Sequence, residues 1–441
     1  MYLHGNWLVP FYEGQPDMWN TKPPLLIWLQ VISMKLLGVS DLAIRLPSAM
    51  GAVATGILLW WFCAVKQKRP WAGFFAGVVF ASTYAYISNH GGRTGDYDPL
   101  LIFFMTFYCL SFFLYLTENS RRWLLLFWIF LTLATFTKGI VGLMLLPGIF
   151  LLTFTEKKFR HTLLNPVFYY GLLFFIFMVG GYYFLREQFN PGYLKAVYQN
   201  ELGGRYLETL EGHQYPFGFY TRNMRFERYV YWFWFIIPAF IAGFLNRSSC
   251  TRKISLFNLC MTVPFWLIIS LGQTKLDWYD LPLYPFLSLQ IGLLIAILLQ
   301  LLREYFFPRK NKLGWSVLFF LLLFFYPCYR VYKGIFRYKE NEDVVHHQPG
   351  YFLKYASRHK IDLDRYVVCF EGYNGQVNFY IQQHQLRGSQ VRLQSDVSSL
   401  EPGSYAVVNQ PALKEQIEQQ YSLKKVNELY GCAVYLVQAR L

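Results

Sequence analysis

The stretch Pro99-Leu100-Leu101-Ile102-Phe103-Phe104-Met105-Thr106-Phe107-Tyr108-Cys109-Leu110-Ser111-Phe112-Phe113-Leu114-Tyr115-Leu116 carries no charged side chain. A helix that crosses a bilayer needs about 20 apolar residues, with roughly 17–25 the usual range, and this run meets that need. Two carboxylates, Asp96 and Asp98, stand just before it, and Arg121-Arg122 follows it. Basic residues mark cytoplasmic ends, so the run predicts a spanning helix with its acidic end on the far side. Working outward, the same reading predicts spans over 44–65, 71–88, 99–116, 123–136, 140–155, 167–185, 229–246, 254–271, 281–302 and 314–330. Lys66 to Arg69, Arg121-Arg122, Lys157 to Arg160, Arg247 with Arg252-Lys253, and Arg309 to Lys312 fall in every second loop, which fixes the parity. The loops left for the far side are 1–22, 89–98, 186–228, 272–280 and everything after about 331. Two short spans, 123–136 and 140–155, meet there around Thr137-Lys138-Gly139. The run from Pro24 to Leu37 is too short for a span and breaks the parity if counted, so it reads as an amphipathic or re-entrant helix at the far interface.

Composition agrees with this class. The 441 residues are 54% hydrophobic and only 15% charged, with a formal net charge of +15. That excludes a disordered chain and a disulfide scaffold, and the long apolar runs are more than a soluble core hides. The positive charge lies in the short clusters between spans, while the last hundred residues are nearly neutral, so nucleic acid is not an expected partner. The seven cysteines show no CxxC pattern. Cys63, Cys109, Cys260 and Cys328 fall in or beside apolar runs and read as small hydrophobes. The fold class is thus mainly α, a polytopic membrane protein of about ten spans plus an interfacial helix, with a C-terminal extracytoplasmic α/β domain. The domains are 1–337 and 338–441. Within the second, Tyr366–Phe370, Tyr405–Asn409 and Ala433–Gln438 read as strands, and Asn374–Gln383 and Pro411–Gln419 as helices. Cys369 and Cys432 sit in strand-like segments, either paired in an oxidising compartment or, the preferred reading, separately buried.

Polar and ionisable residues gather on the far-side loops. Asp98 lies at the mouth of a span, where desolvation raises a carboxyl pKa and favours acid/base work. It equally reads as a helix N-cap before Pro99. Lys22, before Pro23-Pro24, suits a lipid phosphate or a snorkelling interfacial anchor. The long loop holds Glu201, Arg205 and His213; the histidine is a metal ligand, a proton shuttle or simply a loop residue. Lys275 and Tyr279 come from the loop Gly272–Tyr279, where aromatic belts are the default. Together these groups point to a phosphorylated lipid and a polar partner.

Four stretches, with weaker support from His213–Phe217 and Lys275–Pro285, give the chain a resemblance over roughly residues 1–300. They are Gly5–Pro10 with Lys22–Leu25, Arg45–Ala49, Arg93 followed five residues later by Asp98, and Thr137-Lys138-Gly139. In this order they resemble the GT-C membrane glycosyltransferases of the protein-mannosyltransferase and lipid A aminoarabinose-transferase group. The resemblance implies transfer of a sugar from a polyprenyl-phosphate carrier to a lipid A, glycan or protein acceptor at the outer face of a bacterial inner membrane. It places Lys22, Arg205 and Lys275 near the donor phosphate with Tyr279 lining the same cavity, and Asp98 with Arg93 at the catalytic centre. Cations stabilise the phosphate leaving group, and a carboxylate takes the acceptor's proton. A nucleotide-sugar donor is not required, no cofactor is assigned, and a divalent cation is left open. Relatives of this group carry a first membrane helix and an outer Asp-Glu pair upstream of the Gly-Asn-Trp stretch, so Met1 is expected to be an internal methionine of a longer frame. They also carry a glutamate where Thr21 stands, and that glutamate partners the loop histidine at a metal site; His213 is therefore not expected to hold a metal.

Two further classes are distinguishable. A transporter or flippase of lipid-linked glycans predicts polar residues near the midplane and broken helices in repeated halves. A relative that binds lipid-linked sugar without turnover is expected if the given N-terminus is genuine.

Overall fold

The computed structural model describes residues 1–2, 5–12, 14–207, 212–308, 311–336 and 344–441, without the side chains of 202 and 204–207. The chain divides into two compact units, Met1–Phe336 and Arg337–Leu441.

Among its described residues the first unit is helical apart from a small hairpin of two-residue strands, β1 (Phe11–Tyr12) with β2 (Gln15–Pro16). Among the described residues, seven of its helices are long and apolar enough to cross a membrane: Asp41–Lys66, Tyr97–Glu118, Arg121–Leu143, Pro166–Phe189, Ser249–Leu271, Asp277–Phe306 and Lys312–Phe336. The protein is an integral membrane protein. Three other runs read as spans form shorter apolar helices, Pro70–Ala81, Leu146–Thr155 and Phe233–Leu245. The span expected over 71–88 is the clearest correction. Its helix stops at Ala81, where Ser82 and Thr83 turn their hydroxyls back onto the carbonyl of Val79 at 3.1 and 2.8 Å. Such local bonds compete with the helical ladder. The expected interfacial run forms the helix Leu25–Leu37.

Helix Tyr97–Glu118 is the centre of the unit. It is apolar on all sides and buried along nearly its whole length, as a helix surrounded by others must be. The antiparallel helix after it, Arg121–Lys138, packs beside it, with Phe107 and Phe130 stacked at 3.7 Å. Gly51 lets Asp41–Lys66 approach as closely: a Cβ there would fall 2.8 Å from the Cα of Leu100, the small-residue contact that apolar helices use in lipid. Buried amides add polar ties. Gln290 donates to the carbonyl of Ala239 at 2.8 Å and accepts from Asn258 at 3.0 Å.

The second unit is a five-stranded mixed sheet in the order β4-β3-β5-β7-β6, from β3 (Tyr366–Cys369), β4 (Arg392–Gln394), β5 (Tyr405–Val408), β6 (Tyr421–Leu429) and β7 (Cys432–Arg440). The first three strands in that order are parallel and the last two pairings antiparallel. Helices Gln348–Arg358, Gly375–Gln385 and Pro411–Gln420 accompany it. The sequence reading misses β4 and β6. β6 is an edge strand carrying Lys424, Lys425 and Glu428, the charged composition that blunts sheet edges and looks like a loop. Cys369 and Cys432 are free, buried thiols on strands separated by β5.

Candidate functional site

One end of the central helix collects ionisable side chains, and local backbone chemistry explains how. Asp96 caps the helix Tyr97–Glu118, its Oδ1 accepting the Tyr97 N–H at 2.8 Å. That start puts Asp98 in the first turn, only 3% exposed. The neighbouring helix Arg121–Lys138 ends at Gly139, whose φ of +56° strains any L side chain. The break leaves Lys138 as the last helical residue, also buried, with its Nζ donating to Asp98 Oδ1 at 2.6 Å. His90 comes from the tight turn before the helix, where Gly91 N–H and Gly92 N–H bond the carbonyls of Ser88 and Tyr86. Its Nδ1 stands 2.8 Å from Asp96 Oδ2 and 3.2 Å from Asp98 Oδ2. Trp278 lies flat on the imidazole, with ring centroids 3.7 Å apart. The loop is pinned from behind by Ser48 Oγ, which donates to the Asp96 carbonyl at 2.6 Å, and by Gln30 Nε2, which donates to the Gly95 carbonyl at 2.8 Å.

Two carboxylates and one ammonium leave this cluster one negative charge in excess, so a proton on His90 makes it neutral. Burial alone would lower the His90 pKa, but hydrogen bonds and charge from Asp96 and Asp98 outweigh it and raise the pKa above 6.5. Burial likewise pushes Asp96 up, yet the His90 hydrogen bond and charge, then Lys138 and the Tyr97 N–H, hold it at about 2. The linkage signs are opposite. The stabilisation from His90 is complete below about 6.5 and is lost as pH rises through its elevated pKa. That from Asp96 is complete above about 4 and is lost as pH falls toward about 2. Thermal melts across pH are therefore expected to show a fall in stability as pH rises above about 6.5 that His90→Gln flattens; an unchanged profile in the variant would remove this assignment.

The structure brings Lys22 to the same end of this helix. Its Nζ lies 5.7 Å from the centroid of the Tyr97 ring, between the two carboxylates in sequence, and 3.7 Å from Glu201 Oε1. Thr21 Oγ1 donates to that same oxygen at 3.2 Å, and Asn20 Nδ2 donates to the Tyr97 hydroxyl at 3.0 Å. Tyr279 is half-buried on the turn Asp277–Leu283 that also carries Trp278. Lys275 sits just before that turn. It is buried, donates to the Gly272 carbonyl at 2.6 Å, and has its pKa lowered by desolvation. Its backbone N–H bonds the carbonyl of His213, and Gln214 pairs with Thr274, so these two loops run side by side. The Arg205 side chain lies outside the described residues. Arg93 corrects the sequence reading: it is exposed and reaches the Gly334 carbonyl at 3.5 Å, while the cation on Asp98 is Lys138. Among the described residues the group able to hold a metal is His90 with Asp96 and Asp98, whose ligand atoms lie within 4.8 Å of one another, and His213 is not in it.

Beside the cluster, Arg228 and Asp280 form a buried ion pair at 3.3 Å. Arg228 also donates to Ser88 Oγ at 3.3 Å, and Asp280 accepts from Tyr284 at 2.7 Å and Asn223 at 3.2 Å. The pair thereby ties the His90 loop to the turn bearing Trp278.

A bundle of apolar helices with buried carboxylates and lysines at one end, in a chain that also carries a mixed-sheet unit, defines a polytopic membrane protein. The sequence model of the family described as "Dolichyl-phosphate-mannose-protein mannosyltransferase" matches residues 21–183. An uncharacterised protein of Aquifex aeolicus is 27% identical over 301 residues, 66% of this chain and 55% of that protein. The undecaprenyl phosphate-alpha-4-amino-4-deoxy-L-arabinose arabinosyl transferase 1 of Proteus mirabilis is 23% identical over 299 residues, 66% of this chain and 52% of that enzyme. The chain thus spans little more than half the length of these relatives. In fold, it is similar to the crystal structure of ArnT from Cupriavidus metallidurans bound to undecaprenyl phosphate, at a TM-score of 0.68 and 14% identity over 99% of this chain and 91% of that one. It is less similar to an Archaeoglobus fulgidus oligosaccharyltransferase, at a TM-score of 0.50 and 13% identity over 92% and 61% of the two chains. Residues 21–183 thus carry the match to this family's model, and the chain shares its fold with the ArnT structure.

Proposed function

We propose that this chain transfers a sugar from a polyprenyl-phosphate carrier to a hydroxyl-bearing acceptor, at a site facing away from the cytosol. The observation that carries this reading is the placing of a lysine, Lys22, against Tyr97 at the helix end that also carries Asp96 and the buried Asp98, whose charge a second lysine, Lys138, already compensates. In the reaction the acceptor oxygen attacks the anomeric carbon and its proton passes to the Asp96–Asp98 pair. The bond from that carbon to the phosphate oxygen breaks, and polyprenyl phosphate leaves with the electron pair. Lys22 meets the growing charge on the phosphate, where a fixed cation in a dry site is worth most. Lys138 and His90 hold the carboxylates in place, and Tyr279 closes the wall. Relatives whose names specify an undecaprenyl phosphate sugar and the ArnT structure holding undecaprenyl phosphate support this donor class.

Lys22→Ala removes one charge-assisted phosphate contact, typically worth about 1.5–3 kcal/mol. Binding of a polyprenyl phosphate to the purified full chain is expected to weaken about 10- to 150-fold, with the thermal midpoint little changed. An unchanged affinity would take Lys22 out of the donor site. His90, Asp96 and Asp98 have the mixed nitrogen and oxygen donors of a zinc or manganese site. Such an ion would supply positive charge to the donor phosphate. Addition of Mn²⁺ or Zn²⁺ is then expected to raise the thermal midpoint of the wild type and not that of Asp96→Asn. An equal rise in both would place the ion elsewhere.

A further inference from the structure

We infer that a cleft next to Lys22 is a subsite for an anionic saccharide, the headgroup end of the acceptor. The inference rests on the transferase reading above and adds to it the place and chemistry of the second substrate. The cleft encloses about 460 Å³ between the segment before Lys22 and the helical stretch that leads to Glu201. Its walls are Met18 and Trp19 on one side and Lys195, Ala196, Gln199 and Asn200 on the other.

Each wall contributes a different part of sugar recognition. Trp19 is 60% exposed and lines the cleft, and a flat aromatic ring with a polar edge suits the apolar face of a pyranose ring. Gln199 is exposed, and Asn200 Nδ2 is spent on the carbonyls of Met18 and Trp19 at 3.1 and 3.3 Å. That bond fixes the amide, so its oxygen is oriented to accept from a hydroxyl. Lys195, exposed and one helical turn from Gln199, supplies a cation for a phosphate or carboxylate on the sugar.

The pattern of the same helical stretch separates this surface from a lipid-facing one. Lys195 and Gln199 share one side at a spacing of four, while Leu194 and Tyr198, 47% and 57% exposed, share another. The apolar pair suits lipid, and the polar side lines the cleft. The two walls of the cleft also lead directly to Lys22 and Glu201. Tyr193 donates to the Thr21 carbonyl at 2.7 Å and Glu201 reaches Lys22, so the two walls are bonded together just below it. A saccharide lying on Trp19 would therefore have its far end beside the donor phosphate.

The test is binding of trehalose 6-phosphate, trehalose and inorganic phosphate to the full chain in detergent, read by saturation-transfer NMR. It needs no turnover, so its outcome is separate from that of the transferase reading. We expect trehalose 6-phosphate to bind best and to displace trehalose. Trp19→Ala should weaken both sugars at least fivefold and Trp19→Phe should restore them. Lys195→Ala should weaken trehalose 6-phosphate at least threefold and leave trehalose unchanged. Sugar binding that ignores both substitutions overturns the inference, as does binding of inorganic phosphate alone. A lipid-embedded phosphate as the true ligand would appear as binding of phosphatidic acid, but not trehalose 6-phosphate, and would overturn it too.

Discussion

Asp98→Asn is expected to lower sugar transfer by about 10²- to 10⁴-fold, the range that a lost acid/base group commands. The substitution keeps the shape of the side chain and removes its charge. The acceptor proton then loses its carboxylate, and Lys138 is left as a buried ammonium facing an amide 2.6 Å away. Stripping one partner from such a pair costs about 3–5 kcal/mol, so stability is expected to fall with activity. A radiolabelled polyprenyl-phosphate sugar measures the first effect and a thermal melt the second. The double variant Asp98→Asn/Lys138→Gln, which has no stranded charge, is expected to regain most of the stability and none of the turnover. Unchanged turnover in Asp98→Asn would remove the site as described.

Arg228→Met is the second large effect. Asp280 is completely buried and Arg228 nearly so, and the arginine's loss leaves a carboxylate with only Tyr284 and Asn223 as donors. A loss of about 3–5 kcal/mol is expected, with a corresponding drop in thermal midpoint. Arg228→Met/Asp280→Leu, apolar on both sides, is expected to recover most of it. Because the same pair ties the His90 loop to Trp278, the recovered double variant should stay impaired in transfer. Full activity in that variant would reduce the pair to a packing element.

The sequence carried much of this, and the failures have physical causes. Helix positions were legible because a lipid-facing or fully enclosed helix must be apolar for about 20 residues, and the basic clusters between them supply parity. Asp98 was legible because it stands at a sharp polar–apolar boundary. Its partner was not. Lys138 lies 40 residues away and appears in the sequence only as part of Thr137-Lys138-Gly139, and the glycine that aims it shows no chemistry of its own. Arg93 misled for the opposite reason, being close in sequence but set in a turn whose direction spacing alone does not reveal. His90, Asp96 and Trp278 were within stretches that had drawn notice, yet only the tight turn at Gly91-Gly92 and the ring stack make them one group. Glu201 reaches Lys22 from a stretch some 180 residues downstream, a contact no local pattern encodes.

The indole resting on the His90 ring gives the molecule a built-in optical gauge. An imidazolium drains the excited state of a stacked tryptophan far better than neutral imidazole does, so Trp278 should glow more dimly whenever His90 holds its proton. Among 13 tryptophans, this one is wired to the cluster's charge. Its emission is expected to follow the protonation of His90 in an unlabelled protein.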